Sequence, residues 1–302
     1  MSGVSCTLQE LLEDAMRAHK TLHLRRKSRA LHTGAKRSSI RGRGMEFLES
    51  RLYVAPDEMR SIDWKVSARL NNLYTKIYIE EKDRPIILVL DFRSHMYFGT
   101  KNYFKSVLAA KIASRLAQAA INGGDPVGAL FFDDQNMSES KTGTQRKYLA
   151  FMLGMLAKYT QKIHENMSFP KAAFWQALLS HTYNKIPRGA ACFIVSDFAG
   201  FDQSAQALLY RLRKKADVFA LSLHDPLEER LPALGLVSMS YADQTISFDS
   251  SDNKLQKIYA KNYQELCKTR ADIFLNLDIP EIKFSTAHNL DHDLLKLFTG
   301  NW

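Results

Sequence analysis

The sequence predicts an α/β fold in which a mostly parallel sheet is covered by helices on both faces. Two apolar runs, Ile86–Leu90 and Ala191–Ser196, each end in an acid, at Asp91 and Asp197. Near-continuous apolar runs of this kind are what parallel strands buried on both faces require. Strand-like and helix-like segments alternate from residue 85 to about 250, the pattern of strand–crossover–strand units. With 302 residues and 45% hydrophobic content, the chain has enough apolar side chains for one large core or two modest ones.

Taken in order, Leu8, Leu11, Leu12, Ala15 and Met16, then Leu22 and Leu24, predict an N-terminal helix, with Thr7 and Glu10 spaced as a capping box. Residues 17–43 hold ten Lys or Arg and no acid, so the whole net charge of +10 is local to this arm. Alternating Arg and Gly at Arg41–Gly44 disfavour regular structure. From Met45 to Lys82 charges and aromatics are dense, and the alternation across Leu73–Glu80 predicts a strand. After Arg84-Pro85 come a strand at Ile86–Asp91, a helix over 101–122 ended by Gly123-Gly124, and a strand at Val127–Phe132. Helices over 144–162 and 171–184, a strand at Ala191–Asp197, a helix near 202–215 and a strand at Asp217–Leu223 follow. Thr245–Asp249 predicts a further strand, 252–271 a long helix and 291–298 a short terminal one. The organisation read from this is a basic N-terminal helix and arm (1–44), a charged and aromatic segment that packs on the core (45–84), and an α/β domain with C-terminal helices (85–302).

Several function classes lose their support at once. The apolar runs are far shorter than the roughly 20 residues of a spanning helix, and the N-terminus has acids where a secretory leader has bases. The expectation is a cytoplasmic protein with no membrane span. Cys6, Cys192 and Cys267 form neither a Cys-x-x-Cys pair nor an even set, so no disulfide framework or thiolate zinc site is encoded. A phosphate-binding Gly-rich loop ending in Lys-Ser/Thr and a Gly-x-Ser-x-Gly elbow are both missing. A triad of His95, Ser196 and Asp197 therefore lacks its setting. His288 and His292, like His19 and His23, have helical i,i+4 spacing but no third ligand of suitable type nearby beyond Asp291 or Asp293. No enzyme is expected.

In a doubly wound sheet ligands gather at the carboxyl ends of the strands where strand order reverses, and Asp91 and Asp197 each end such a strand. Paired carboxylates there suit Mg²⁺ or Mn²⁺; an acid after a strand also often caps the next helix.

The segment Arg43-Gly44-Met45-Glu46-Phe47, Arg51-Leu52-Tyr53, Asp57, Arg60-Ser61-Ile62-Asp63-Trp64 and Ala68-Arg69 resembles the signature of the bacterial MoxR-associated family known as domain of unknown function fifty-eight. The resemblance continues through Pro85–Asp91, Gly124–Gly128, Ile194–Phe198 and Asp225–Glu228 with Leu231-Pro232, covering roughly residues 40–300. It implies a von Willebrand A-like doubly wound domain. It also implies a cofactor or adaptor role beside a MoxR-type AAA+ ATPase that remodels other proteins. The family's metal-ion-dependent adhesion motif, Asp-x-Ser-x-Ser, falls on Asp91-Phe92-Arg93-Ser94-His95, so Arg93 and His95 replace both ligand serines, and the accessory threonine falls near Ala172. Only Asp91 and Asp197 remain as metal ligands. The site is read as degenerate, with no cofactor required and Mg²⁺ left as the alternative.

Arg93 carries a permanent charge able to bridge carboxylates, so it is expected in place of the metal, the alternative being a side chain in solvent beside a decayed site. Glu46, Arg51, Arg60, Asp63 and Arg69 suit either a partly buried ion-pair network or an exposed docking face for the ATPase. The function expected is a non-enzymatic protein-binding adaptor acting on an unknown client. The alternative is nucleic-acid binding through the arm at 17–43 and the aromatics near it.

Overall fold

The computed structural model describes residues 3–18, 45–55, 57–80, 84–162, 172–241 and 244–299. Arg43, Gly44, His19, His23 and the basic arm beyond Ala18 lie outside the described residues. The chain divides into two compact units, residues 25–83, and residues 1–24 together with 84–302.

In chain order the elements are α1 (Leu8–Met16), β1 (Met45–Leu52), α2 (Trp64–Leu70), β2 (Tyr74–Glu80), β3 (Ile86–Asp91), α3 (Lys105–Asn122), β4 (Val127–Phe132) and β5 (Met137–Glu139). They continue with α4 (Arg146–Thr160), α5 (Ala172–Lys185), β6 (Ala191–Ser196), α6 (Gln206–Lys215), β7 (Asp217–His224), α7 (Pro226–Glu229), β8 (Leu236–Tyr241), β9 (Gln244–Asp249), α8 (Asn253–Asn276), β10 (Glu281–Ser285) and α9 (Leu290–Thr299).

In the smaller unit β1 and β2 form an antiparallel ladder whose register shifts between Phe47 and Glu49. Asp63 caps α2 by accepting from the amide of Val66 at 3.3 Å, and also accepts from Ser50 Oγ at 2.9 Å. Arg51 pairs with Asp57 at 2.8 Å, while Trp64, Arg60 and Arg69 stand exposed and Tyr53 is half-buried. Glu46 lies on β1 opposite Ile79. Asp63 is thus a local buried cap, and Arg51–Asp57 a local ion pair.

The larger unit is built on a six-stranded sheet in the order β10-β7-β6-β3-β4-β5. All neighbours run parallel except β5, which turns back against β4. Strand residues alternate between two cores because successive side chains point to opposite faces. Leu88, Leu90, Phe131 and Phe193 share one core with α1, α3 and α4, and Val89, Phe132 and Ile194 share the other with Trp175 of α5, Leu209 of α6 and Phe274 of α8. Helices therefore cover both faces, as the alternation predicted. The Ala-rich α3 is buried on nearly every side, which an amphipathic surface helix would not be. Gly124, at φ +83, takes the left-handed turn that ends it.

The N-terminal helix stops at Met16, short of the predicted Leu24. The segment at Thr245–Asp249 is a strand, but it pairs with β8 in a separate antiparallel hairpin. The sheet edge beside β7 is taken by β10. No helix among the described residues is long and apolar enough to cross a membrane.

Candidate functional site

The order of the sheet reverses between β3 and β6, so the loops leaving these two strands diverge and open a crevice at their carboxyl ends. Asp91 is the last residue of β3, and Asp197 directly follows β6. Ligand atoms of Asp91, His95 and Asp197 all lie within 4.8 Å of one another. The two apolar runs predicted that Asp91 and Asp197 meet, and His95 joins them from the position of the second motif serine.

Each carboxylate has its own cation. Asp91 is fully buried and is held by the Arg93 fork: Nη2 donates to Oδ2 at 2.7 Å and Nε to Oδ1 at 3.1 Å. The amide of Arg93 also donates to Oδ1 at 3.0 Å, and Ser196 Oγ donates to Oδ2 at 2.6 Å. Arg93 is only 2% exposed. Its guanidinium lies 4.5 Å from the Phe174 ring centroid and 5.3 Å from that of Trp175, distances at which an aromatic face attracts a desolvated cation. Burial pulls the Arg93 pKa down, but the charges of Asp91 and then Asp197 raise it above its ordinary value.

Asp197 is answered by Lys105, the first residue of α3, whose Nζ donates to Oδ2 at 2.6 Å. The same ammonium donates to Glu228 Oε1 at 2.5 Å. Burial pushes the Asp197 carboxyl up, but Lys105 and then His95 outweigh it and hold it well below the usual carboxylate range. Burial likewise pulls Lys105 down, and the two carboxylates raise it overall. His95 Nε2 lies 3.1 Å from Asp197 Oδ1 and 3.9 Å from Asp91 Oδ2, while its buried Nδ1 meets no partner among the described residues.

The turn after β6 is drawn tight around these groups. Phe198 sits at φ +58, a left-handed conformation that costs a bulky residue energy and clusters at functional sites. Its amide donates to Ser196 Oγ, the amide of Ala199 donates to Asp197 Oδ1, and its ring stacks on Trp175 at 5.3 Å. From α8, Arg270 donates to the Asp197 carbonyl at 3.2 Å and pairs with Glu281 at 3.0 Å.

Of the positions singled out in the sequence, Asp91, Arg93, His95 and Asp197 come together here. Arg93 is on Asp91, and its contact with Asp197 is through charge alone. Lys105 and Glu228 were missed as site residues. Glu228 was visible only as part of the Asp225–Glu228 landmark, where it also closes a capping box with Asp225. Lys105 carried a signal: a cation at the first position of a helix opposes the helix dipole, and such a placement asks for a carboxylate partner. His288 and His292 are exposed and each lies near Asp293.

The crevice is suited to holding a fixed polar geometry. Metal binding would have to displace two buried cations from its carboxylates, and Ser196 Oγ is turned inward as a donor to Asp91.

The chain resembles uncharacterized proteins of Mycobacterium: Rv1480 of Mycobacterium tuberculosis and Mb1516 of Mycobacterium bovis are each 28% identical over 209 residues, 68% of this chain. The match spans 63% of the length of these relatives. Among solved structures, BatB from Bacteroides thetaiotaomicron aligns over 71% of this chain and 95% of its own, at 12% identity and a TM-score of 0.43. An aerotolerance-related membrane protein from Bacteroides fragilis aligns over 72% and 97%, at 12% identity and a TM-score of 0.41. The family model described as "Protein of unknown function DUF58" matches residues 49–268. With well over half its length matched, the chain belongs to that family.

Proposed function

We propose that the larger unit is a von Willebrand A-like domain whose adhesion site has exchanged its metal for internal cations, and that the protein is a cytosolic, non-enzymatic adaptor for a MoxR-type AAA+ ATPase. The observation that carries this reading is the pairing of Asp91 with Arg93 and of Asp197 with Lys105 at the switch point of the sheet. The strand order, with three strands running out on each side of the switch point and one antiparallel edge, supports the domain reading. The partner class comes from the family resemblance.

Two permanently placed cations do what a divalent ion does at an intact site: they neutralise facing carboxylates and fix the loops around them. Partner binding through this end of the sheet is therefore independent of Mg²⁺. Tagged protein is incubated with lysate of its native host in EDTA or in Mg²⁺, and captured proteins are identified by mass spectrometry. An AAA+ ATPase recovered equally in both supports the proposal. Loss of that capture in EDTA would overturn the metal exchange. Retention of nucleic acid with a steep log–log salt dependence, and no ATPase, would favour the reading based on residues 17–43, of which only Arg17 and Ala18 are described.

A further inference from the structure

A second polar cavity, of about 440 Å³, lies between α1, α3 and the connection from β10 to α9, apart from the crevice between Asp91 and Asp197. Its cations outnumber its acids. Arg17, Lys111 and Arg115 line it against Asp14 and Asp291, and both acids are already engaged. Arg115 forks onto Asp14, with Nη2 donating to Oδ1 at 2.8 Å and Nε to Oδ2 at 3.0 Å, and its remaining nitrogen pairs with Asp291.

Lys111 is left over. It is only 8% exposed, yet its ammonium comes no closer than 3.9 Å to a carboxylate oxygen, on an Asp14 that Arg115 already neutralises. Its other contact is the Tyr103 ring at 5.3 Å. Its three donors thus have no acceptor at hydrogen-bond distance among the described residues, and the ammonium is left to donate into the cavity that it lines. Arg17, exposed on the rim, makes no ion pair with any described residue. Asn289 and Leu290, at the start of the ten-residue α9, line the same cavity, and their amides donate to no described residue. Free amides at a helix start, backed by the helix dipole, favour anions.

We propose that this cavity binds a small oxyanion of the phosphate-monoester class, with Lys111 as the buried anchor, Arg17 as the rim cation and the opening amides of α9 as further donors. A phosphate suits the set better than a carboxylate does. It offers three terminal oxygens and up to two charges to a three-donor ammonium, a guanidinium fork and backbone amides, whereas a carboxylate has two oxygens. Inorganic phosphate leaves room in the cavity, so the alcohol part of a monoester also fits.

Calorimetric titrations with inorganic phosphate, glycerol phosphate and acetate, in chloride buffer at constant ionic strength, test this. The expected result is one saturable site for both phosphates, with glycerol phosphate at least as tight. Lys111→Met should weaken it about tenfold, or about 1.4 kcal/mol, through loss of charge-assisted hydrogen bonds. Arg17→Gln, on the exposed rim and harmless to folding, should weaken it about threefold, and it keeps the test readable if Lys111→Met misfolds. No saturable phosphate site, unchanged affinity in a folded Lys111→Met or in Arg17→Gln, or acetate binding as tightly as phosphate would overturn the assignment.

Discussion

Replacing Arg93 by methionine isolates what the buried guanidinium contributes. The substitution keeps a long unbranched stem but deletes the three hydrogen bonds to Asp91, at 2.7, 3.1 and 3.3 Å, the 3.4 Å contacts with the Ala199 carbonyl, and the cation over Phe174 and Trp175. Asp91 would retain the hydrogen bonds from Ser196 Oγ and the backbone amide of residue 93, with His95 Nε2 3.9 Å away. Breaking a buried pair by removing one partner costs about 3–5 kcal/mol, because the charge left behind is uncompensated. Urea denaturation should therefore show a lower midpoint at an unchanged m-value, with the product of m and the shift equal to that loss. The cause is separable by a double-mutant cycle. If the cost lies in the stranded carboxylate, Asp91→Asn combined with Arg93→Met should recover about 2 kcal/mol relative to Arg93→Met alone. Arg93→Lys keeps the charge but loses the planar fork and its stacking, and should fall between. A loss below about 1 kcal/mol in Arg93→Met, or strict additivity in the cycle, would refute the claim that Arg93 acts as the counter-ion of Asp91.

Two further predictions concern neighbouring carboxylates. The Asp197 pKa is depressed in the folded protein, since burial raises it but Lys105 and His95 lower it further. Its contribution to stability is therefore full above the unfolded value of about 4 and is lost as pH falls through the folded one. In Lys105→Met that loss should begin at higher pH, read as the melting temperature between about pH 2 and pH 7; an unshifted acid limb would contradict the pairing. Asp225 accepts from the amide and hydroxyl of Thr100, the amide of Leu227 and the hydroxyl of Thr286. Asp225→Asn turns one buried acceptor into a donor facing other donors, and should cost about 2–3 kcal/mol in the same denaturation assay.

The sheet was legible wherever strands are buried on both faces. Ile86–Asp91, Val127–Phe132 and Ala191–Ser196 are each continuous and apolar, and each is a fully buried strand. Where a strand lies at an edge the signal fails. β10, with the sequence Glu-Ile-Lys-Phe-Ser, has only two apolar residues and reads equally as a loop. β1 was hidden for another reason: the shift in register between Phe47 and Glu49 breaks the period of two on which its recognition depends. In the site, Asp91 and Asp197 were legible because each acid ends an apolar run. Lys105 offered only a partial signal, a cation at a helix start that asks for a carboxylate, and it is the folded chain that makes this carboxylate Asp197. Arg93 was anticipated as the counter-ion of both carboxylates. The fold divides the task, giving Asp91 to Arg93 and Asp197 to Lys105.

That division bears on how the crevice can work. A divalent ion at a carboxylate pair is exchangeable, so a site that uses one can be emptied, and part of its binding energy can come from a partner acid that completes the coordination sphere. Arg93 and Lys105 are tethered by the chain, and both hold their protons more firmly than the free side chains do. Arg93 already has Asp91 against its fork and aromatic rings around it, and Lys105 spends its charge on Asp197 and Glu228. Both charges are already answered inside the crevice, so a partner's carboxylate would have to compete with Asp91, Asp197 and Glu228 for them. In the proposed adaptor, affinity must then come from surfaces around the crevice, while the crevice itself keeps the loops after β3 and β6 in one arrangement. Substitutions inside it should lower stability first, and partner affinity only to the extent that those loops move.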